Sequence, residues 1–87
     1  MSPYIDEASR RRLGKGDHPS NPGELTYTIY KACLSYLGLK PKFKDFCECL
    51  GALEAAKLEF ARMRVAPYEN AKIMDNGDVL PSEFDDR

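Results

Sequence analysis

Apolar residues are gathered between Leu25 and Met74, and both ends of the chain are polar. Inside that span they recur at helical spacing. Leu25, Ile29, Ala32, Cys33 and Tyr36 make one stripe, widened by Tyr30, Leu34 and Leu37, while Thr28, Lys31 and Ser35 lie nearer water. The pattern predicts a helix over 22–37. Its start is the strongest local signal in the chain: Asn21 can cap, Pro22 fits the first helical position, and Glu24 can complete a capping box. Gly38 is its natural stop.

A longer helix is expected over 43–66. Phe46, Leu50, Leu53, Phe60 and Met63 follow in near-heptad order and are expected to face the first long helix. Cys47, Leu58, Ala61 and Val65 form a second apolar line, and Gly51, Ala52, Ala55 and Ala56 a patch of small residues where another helix could approach closely. Two apolar faces on one helix exceed what a simple hairpin covers, so the pattern also predicts a homo-oligomer.

Pro67 removes a backbone donor and disfavours helical geometry at Ala66, so the long helix is expected to end or kink there. A short helix over 67–75 then stops at Asn76-Gly77, and 76–87 reads as an acidic tail in which Val79 and Leu80 dock. At the other end, Ser2 as cap, Pro3 at the first helical position and Asp6 and Glu7 in the first turn predict a short helix over 1–13. A loop over 14–21 follows it. The expected fold is all-α: one domain over 1–87, a hairpin of two long antiparallel helices with a short helix at each end, assembled as a homo-oligomer.

Length sharpens that expectation, because a chain of 87 residues buries only about 60–65% of the surface its unfolded form exposes. Charge is uneven: residues 1–44 hold eight Lys/Arg against four Asp/Glu, and residues 45–87 hold five against ten. Opposite ends could therefore attract each other within or between chains. Three cysteines make a poor disulfide framework, and Cys47 and Cys49 point roughly 200° apart on a helix. They read as small apolar residues of the core rather than metal ligands. No apolar run approaches the roughly 18–20 residues of a membrane span, and the first residues lack the basic and apolar stretches of a signal peptide. The expected location is the cytoplasm.

No catalytic motif is present, so neither enzyme, cofactor nor metal is expected. Glu48, Glu54 and Glu59 read as the solvated face of the long helix, with Glu54–Lys57 and Glu59–Arg62 spaced for surface ion pairs. Arg10-Arg11-Arg12 with Lys15 suits phosphate, yet the chain is slightly acidic overall and has no DNA-reading motif; specific DNA is not expected. A less ordinary grouping brackets the Ala66-Pro67 break: Arg62, Arg64, Tyr68, Glu69, Asn70 and Lys72. A helix restarting there would offer unpaired amides to an anion, beside arginines and an aromatic ring able to hold a phosphate and stack a base. The alternative is structural, with the arginines paired to Glu59 or Glu69 and the tyrosine packed on a neighbour.

Pro3-Tyr-Ile5, Asn21-Pro-Gly-Glu-Leu25, Glu48-Cys-Leu-Gly-Ala-Leu-Glu54, Lys57-Leu-Glu-Phe60, Val65-Ala-Pro-Tyr-Glu69, Lys72-Ile73 and Asn76-Gly-Asp-Val79 together resemble a family of small uncharacterised proteins from bacteria and their phages. The resemblance implies an accessory gene of a phage or prophage. In that setting, unrelated proteins of this size sequester nucleotide-derived defence signals or block a defence enzyme by occupying its surface. The leading expectation is a non-enzymatic homo-oligomer that captures a phosphate-bearing small molecule, a cyclic nucleotide or ADP-ribose derivative, at a subunit interface. Arg62, Arg64, Tyr68 and Lys72 would hold it, with Tyr4, Arg11 and Tyr27 from a neighbouring chain. The second expectation is a protein–protein inhibitor or adaptor of a host or phage factor, using an exposed helical face.

Overall fold

The computed structural model describes residues 5–77, and these are helices and connections without a strand. The helices are α1 (Glu7–Gly14), α2 (Pro22–Leu37), α3 (Phe43–Phe60) and α4 (Ala66–Asn76), with a π-helical turn, Ala61–Val65, between the last two. The chain divides into two compact units, Met1–Cys49 and Leu50–Arg87.

In the first unit, α1 begins later than expected. The carboxylate of Asp6 accepts from the Ser9 N–H at 2.8 Å, so Asp6 is the cap, and Ser2 lies outside the described residues. Glu7 in the first turn and Arg11 and Arg12 in the last match the helix dipole. α2 opens at Pro22 as its signals require, with Asn21 Oδ1 accepting from the Glu24 N–H at 2.8 Å. The reciprocal half of the capping box is missing. The Glu24 carboxylate accepts from the Ser20 N–H at 2.9 Å and the Ser20 hydroxyl at 3.0 Å, and pairs with Arg12 of α1. A side chain expected to serve only its own helix end therefore joins two helices. Gly38 closes α2 at φ 75°, a left-handed value at which a Cβ would be strained.

α3 starts at Phe43, where the Asp45 carboxylate accepts from the Lys42 N–H at 2.8 Å. It meets α2 near the turn, where the Tyr36 hydroxyl donates to Glu48 Oε1 at 3.2 Å. Cys49 is buried and Cys33 half-buried, as small apolar residues of a core, but Cys47 is exposed. The buried apolar residues among those described are Ile5 and Cys49, and Glu24 is the buried charged one.

The second unit corrects the expectation of a break. Pro67 does not end the helix, because the π turn precedes it and Val65 and Ala66 both keep right-handed helical angles. The Ala66 N–H donates to the Ala61 carbonyl, five residues back. This wider turn accommodates a residue that has no N–H to give and whose ring crowds the preceding turn. Gly77 then stops α4 at φ 81°, as Asn76-Gly77 predicts. Leu50, Leu53, Phe60 and Met63 of this unit are exposed, as is Phe46 of the first. Val79, Leu80 and the rest of the acidic tail lie outside the described residues.

Candidate functional site

The structure separates the residues grouped around Pro67 into engaged and open ones. Arg62 Nη2 pairs with Glu59 Oε1 at 2.8 Å, the surface ion pair its spacing predicts, as does Glu54 with Lys57 at 3.9 Å. Lys72 Nζ lies 5.7 Å from the centre of the Tyr68 ring, close enough for a cation–π contact. Arg64 has no ion-pair partner among the described residues. Arg64, Tyr68 and Lys72 succeed one another at four-residue spacing, which places them in one row; Arg62 is turned back towards Glu59.

The helix end expected to restart at Pro67 is not there. A restarted helix would expose free amides at Pro67, but the backbone is helical through 61–76 and Ala66 spends its N–H on Ala61. Phosphate could be held there only by side chains.

The residues expected from a neighbouring chain lie in the first unit, apart from Tyr4, which is outside the described residues. Arg11 pairs with Glu7 at 2.6 Å. Tyr27 is half-buried and lines an open pocket of about 100 Å³ with Leu13, Gly14, Thr28 and Lys31. This pocket sits where α1 meets α2 and is lined mainly by apolar surface with one lysine.

The arginine run is consumed in structure. Arg10 donates to the Ile5 carbonyl at 3.5 Å, and Arg12 donates to Asp17 at 2.7 Å, to the His18 carbonyl at 3.0 Å and to Glu24. The Arg12 guanidinium, helped by the Ser20 N–H, pulls the Glu24 carboxyl from its ordinary 4.5 down to about 2. Asp17 is lowered too, by Arg12 and the His18 N–H. This cluster needs Glu24 in chain order far from Arg12, and neither residue's local pattern announced it; only the odd excess of arginine at one helix end could have prompted the search.

One surface was not anticipated. At the tip between α2 and α3, Leu39 and Phe43 are 99% and 82% exposed, flanked by Lys40, Lys42 and Lys44. Among the described residues no group of three or more His, Cys, Asp or Glu could hold a metal ion, and no helix is long and apolar enough to cross a membrane.

A family model described as "Domain of unknown function (DUF6899)" matches residues 1–79. No curated protein and no solved structure matches the chain.

Proposed function

We propose, for a chain that belongs to the DUF6899 family of domains of unknown function, that it is a non-enzymatic binding protein acting on another protein, as an adaptor or inhibitor. The observation that supports this reading is the direction in which its apolar residues face. Ile5 and Cys49 are buried, while Leu39, Phe43, Leu58, Phe60 and Met74 are more than half exposed. Large apolar groups held in water on ordered helices mark interaction surfaces, and chains of this size commonly complete their core on a partner. The tip bearing Leu39 and Phe43 among lysines suits an acidic partner surface with apolar depressions, since aliphatic and aromatic anchors supply the burial and the lysines the steering.

The test is affinity capture from a lysate of the source cell with the full chain as bait, followed by Leu39→Ser with Phe43→Ser. A protein captured by the wild type and lost with that double variant supports the reading. Failure to capture any protein, or capture indifferent to the double variant, sinks the tip as its docking surface.

A second reading, capture of a phosphate-bearing small molecule, is favoured by the row Arg64, Tyr68 and Lys72. It requires that a panel of cyclic dinucleotides and ADP-ribose isomers raise the melting temperature and be released unaltered. At a hundred times its dissociation constant a ligand adds about 2.7 kcal/mol per site. Arg64→Ala and Tyr68→Ala should abolish that gain.

A further inference from the structure

Inside the first unit, Leu13 and Gly14 of α1 and Tyr27, Thr28 and Lys31 of α2 line the open pocket of about 100 Å³. Helical phase explains its α2 wall. Tyr27, Thr28 and Lys31 stand at i, i+1 and i+4, so Tyr27 and Lys31 lie one turn apart on the same face, with Thr28 beside them. The α1 wall has a gap in it, because a Cβ at Gly14 would meet nothing within 4 Å. The hollow is therefore kept by a glycine at the end of α1, and its apolar walls are the half-buried Leu13 and Tyr27. Neither the tip at Leu39 and Phe43 nor the row from Arg64 to Lys72 draws on it.

We infer that this pocket binds a small monocarboxylate carrying one apolar ring. Size sets the body of the ligand. An apolar cavity of about 150 Å³ takes a benzene ring, and a pocket of about 100 Å³ with an open side seats one ring with an edge in water. The lining sets the head group. The Thr28 hydroxyl already donates to the Glu24 carbonyl at 2.9 Å, and the Arg11, Arg12 and Leu13 carbonyls at the end of α1 already accept from the N–H groups of Lys15 and Gly16. The charged group in the lining is the Lys31 ammonium, which has no ion-pair partner among the described residues. A cationic ligand would meet no carboxylate in this lining. A single ammonium matches a single negative charge, whereas a phosphate dianion calls for arginine forks or free helix amides that the lining lacks. Spacing sets the arm between ring and charge: side chains one helical turn apart leave the backbone about 5–6 Å from each other. A ring against Tyr27 and the hollow at Gly14 thus brings a carboxylate on a one-carbon arm within reach of Lys31.

The test is a titration of the nitrogen-15-labelled full chain with phenylacetate, followed by two-dimensional NMR, beside a titration with 2-phenylethanol, which keeps the ring and the arm and lacks the charge. Saturating shifts at Gly14, Tyr27, Thr28 and Lys31 are expected with phenylacetate. The alcohol should bind about fivefold more weakly, the upper end of what one exposed ion pair supplies. Lys31→Met keeps the aliphatic stem, so it should bring phenylacetate down to the level of the alcohol and leave the alcohol unchanged. Gly14→Leu should abolish both, because its side chain fills the hollow. Gly14 is not among the glycines at positive φ, so α1 accepts that side chain. The absence of a saturable shift up to roughly 10 mM phenylacetate overturns the inference, as do shifts centred away from these residues, equal affinity for acid and alcohol, or binding that survives Gly14→Leu. The comparison of acid with alcohol is made on the unaltered chain and stands whatever either variant does to α1.

Discussion

Arg12 of α1 and Glu24 of α2 form an ion pair in which the carboxylate is nearly inaccessible to solvent and the guanidinium about one-third exposed. Arg12 also holds Asp17 and the His18 carbonyl, so one side chain fixes the end of α1, the loop after it and the start of α2. Because the Glu24 carboxyl is depressed to about 2 in the fold, its contribution is complete above about pH 4.5 and is lost as pH falls towards 2. Asp6 and Asp17 are lowered as well and act in the same direction. Acid titration followed by the chemical shifts of Ile5 should show α1 detaching across that window, and Glu24→Gln should detach it at neutral pH.

Asn21 caps α2 through a bond to the Glu24 N–H at 2.8 Å, and removing it leaves that donor without its side-chain acceptor. Asn21→Ala should cost about 1 kcal/mol of stability, measured by urea denaturation at fixed protein concentration. A cost near zero would mean that the start of α2 is set by Ser20 and Arg12 instead.

Phe60 tests whether an exposed apolar side chain carries stability within the chain. It is exposed, so Phe60→Ala should not show the 3–5 kcal/mol of a buried phenylalanine at dilution; about 1 kcal/mol or less is expected. A large loss at dilution would show that Phe60 is buried within one chain.

Pro67→Ala removes the reason for the π turn, since alanine can donate its N–H and does not crowd the turn before it. The expected outcome is a plain α-helix in which Tyr68 is rotated by roughly 100° relative to Phe60. Helicity by circular dichroism should rise or hold. A fall in helicity would mean that the π turn does not arise from the missing N–H of Pro67.

Thiol labelling should rank the cysteines. Cys47 is exposed, Cys33 half-buried and Cys49 buried, and the Cys49 thiol is pushed up by its bond with Cys33 and by burial. Cys47 should react first and Cys49 last, because the thiolate is the reactive form. Mass spectrometry of partly labelled protein decides it.

What the sequence determined by itself was local. Helix type, the start of α2 at Asn21-Pro22, the stops at Gly38 and Gly77, and the ion pairs Glu54–Lys57 and Glu59–Arg62 come from caps, left-handed glycines and three-residue spacing, all of which act within one or two turns. What tertiary structure decided was which side chains meet across distance. Glu24 was legible as a cap and became an inter-helix anchor, because its carboxylate takes both Arg12, twelve residues earlier, and the Ser20 N–H. Phe46 and Leu50 were legible as apolar helix positions, yet periodicity says only that a face wants cover and not which surface covers it. Pro67 was legible as a disturbance whose outcome is not local: a break and a π turn both satisfy a missing donor, and only the path of the backbone from Ala61 to Ala66 selects between them. Arg62, Arg64, Tyr68 and Lys72 were grouped by nearness in the chain, but a side chain's direction depends on helical phase. The π turn, which holds Arg62 and Arg64 and precedes Tyr68 and Lys72, sets that phase.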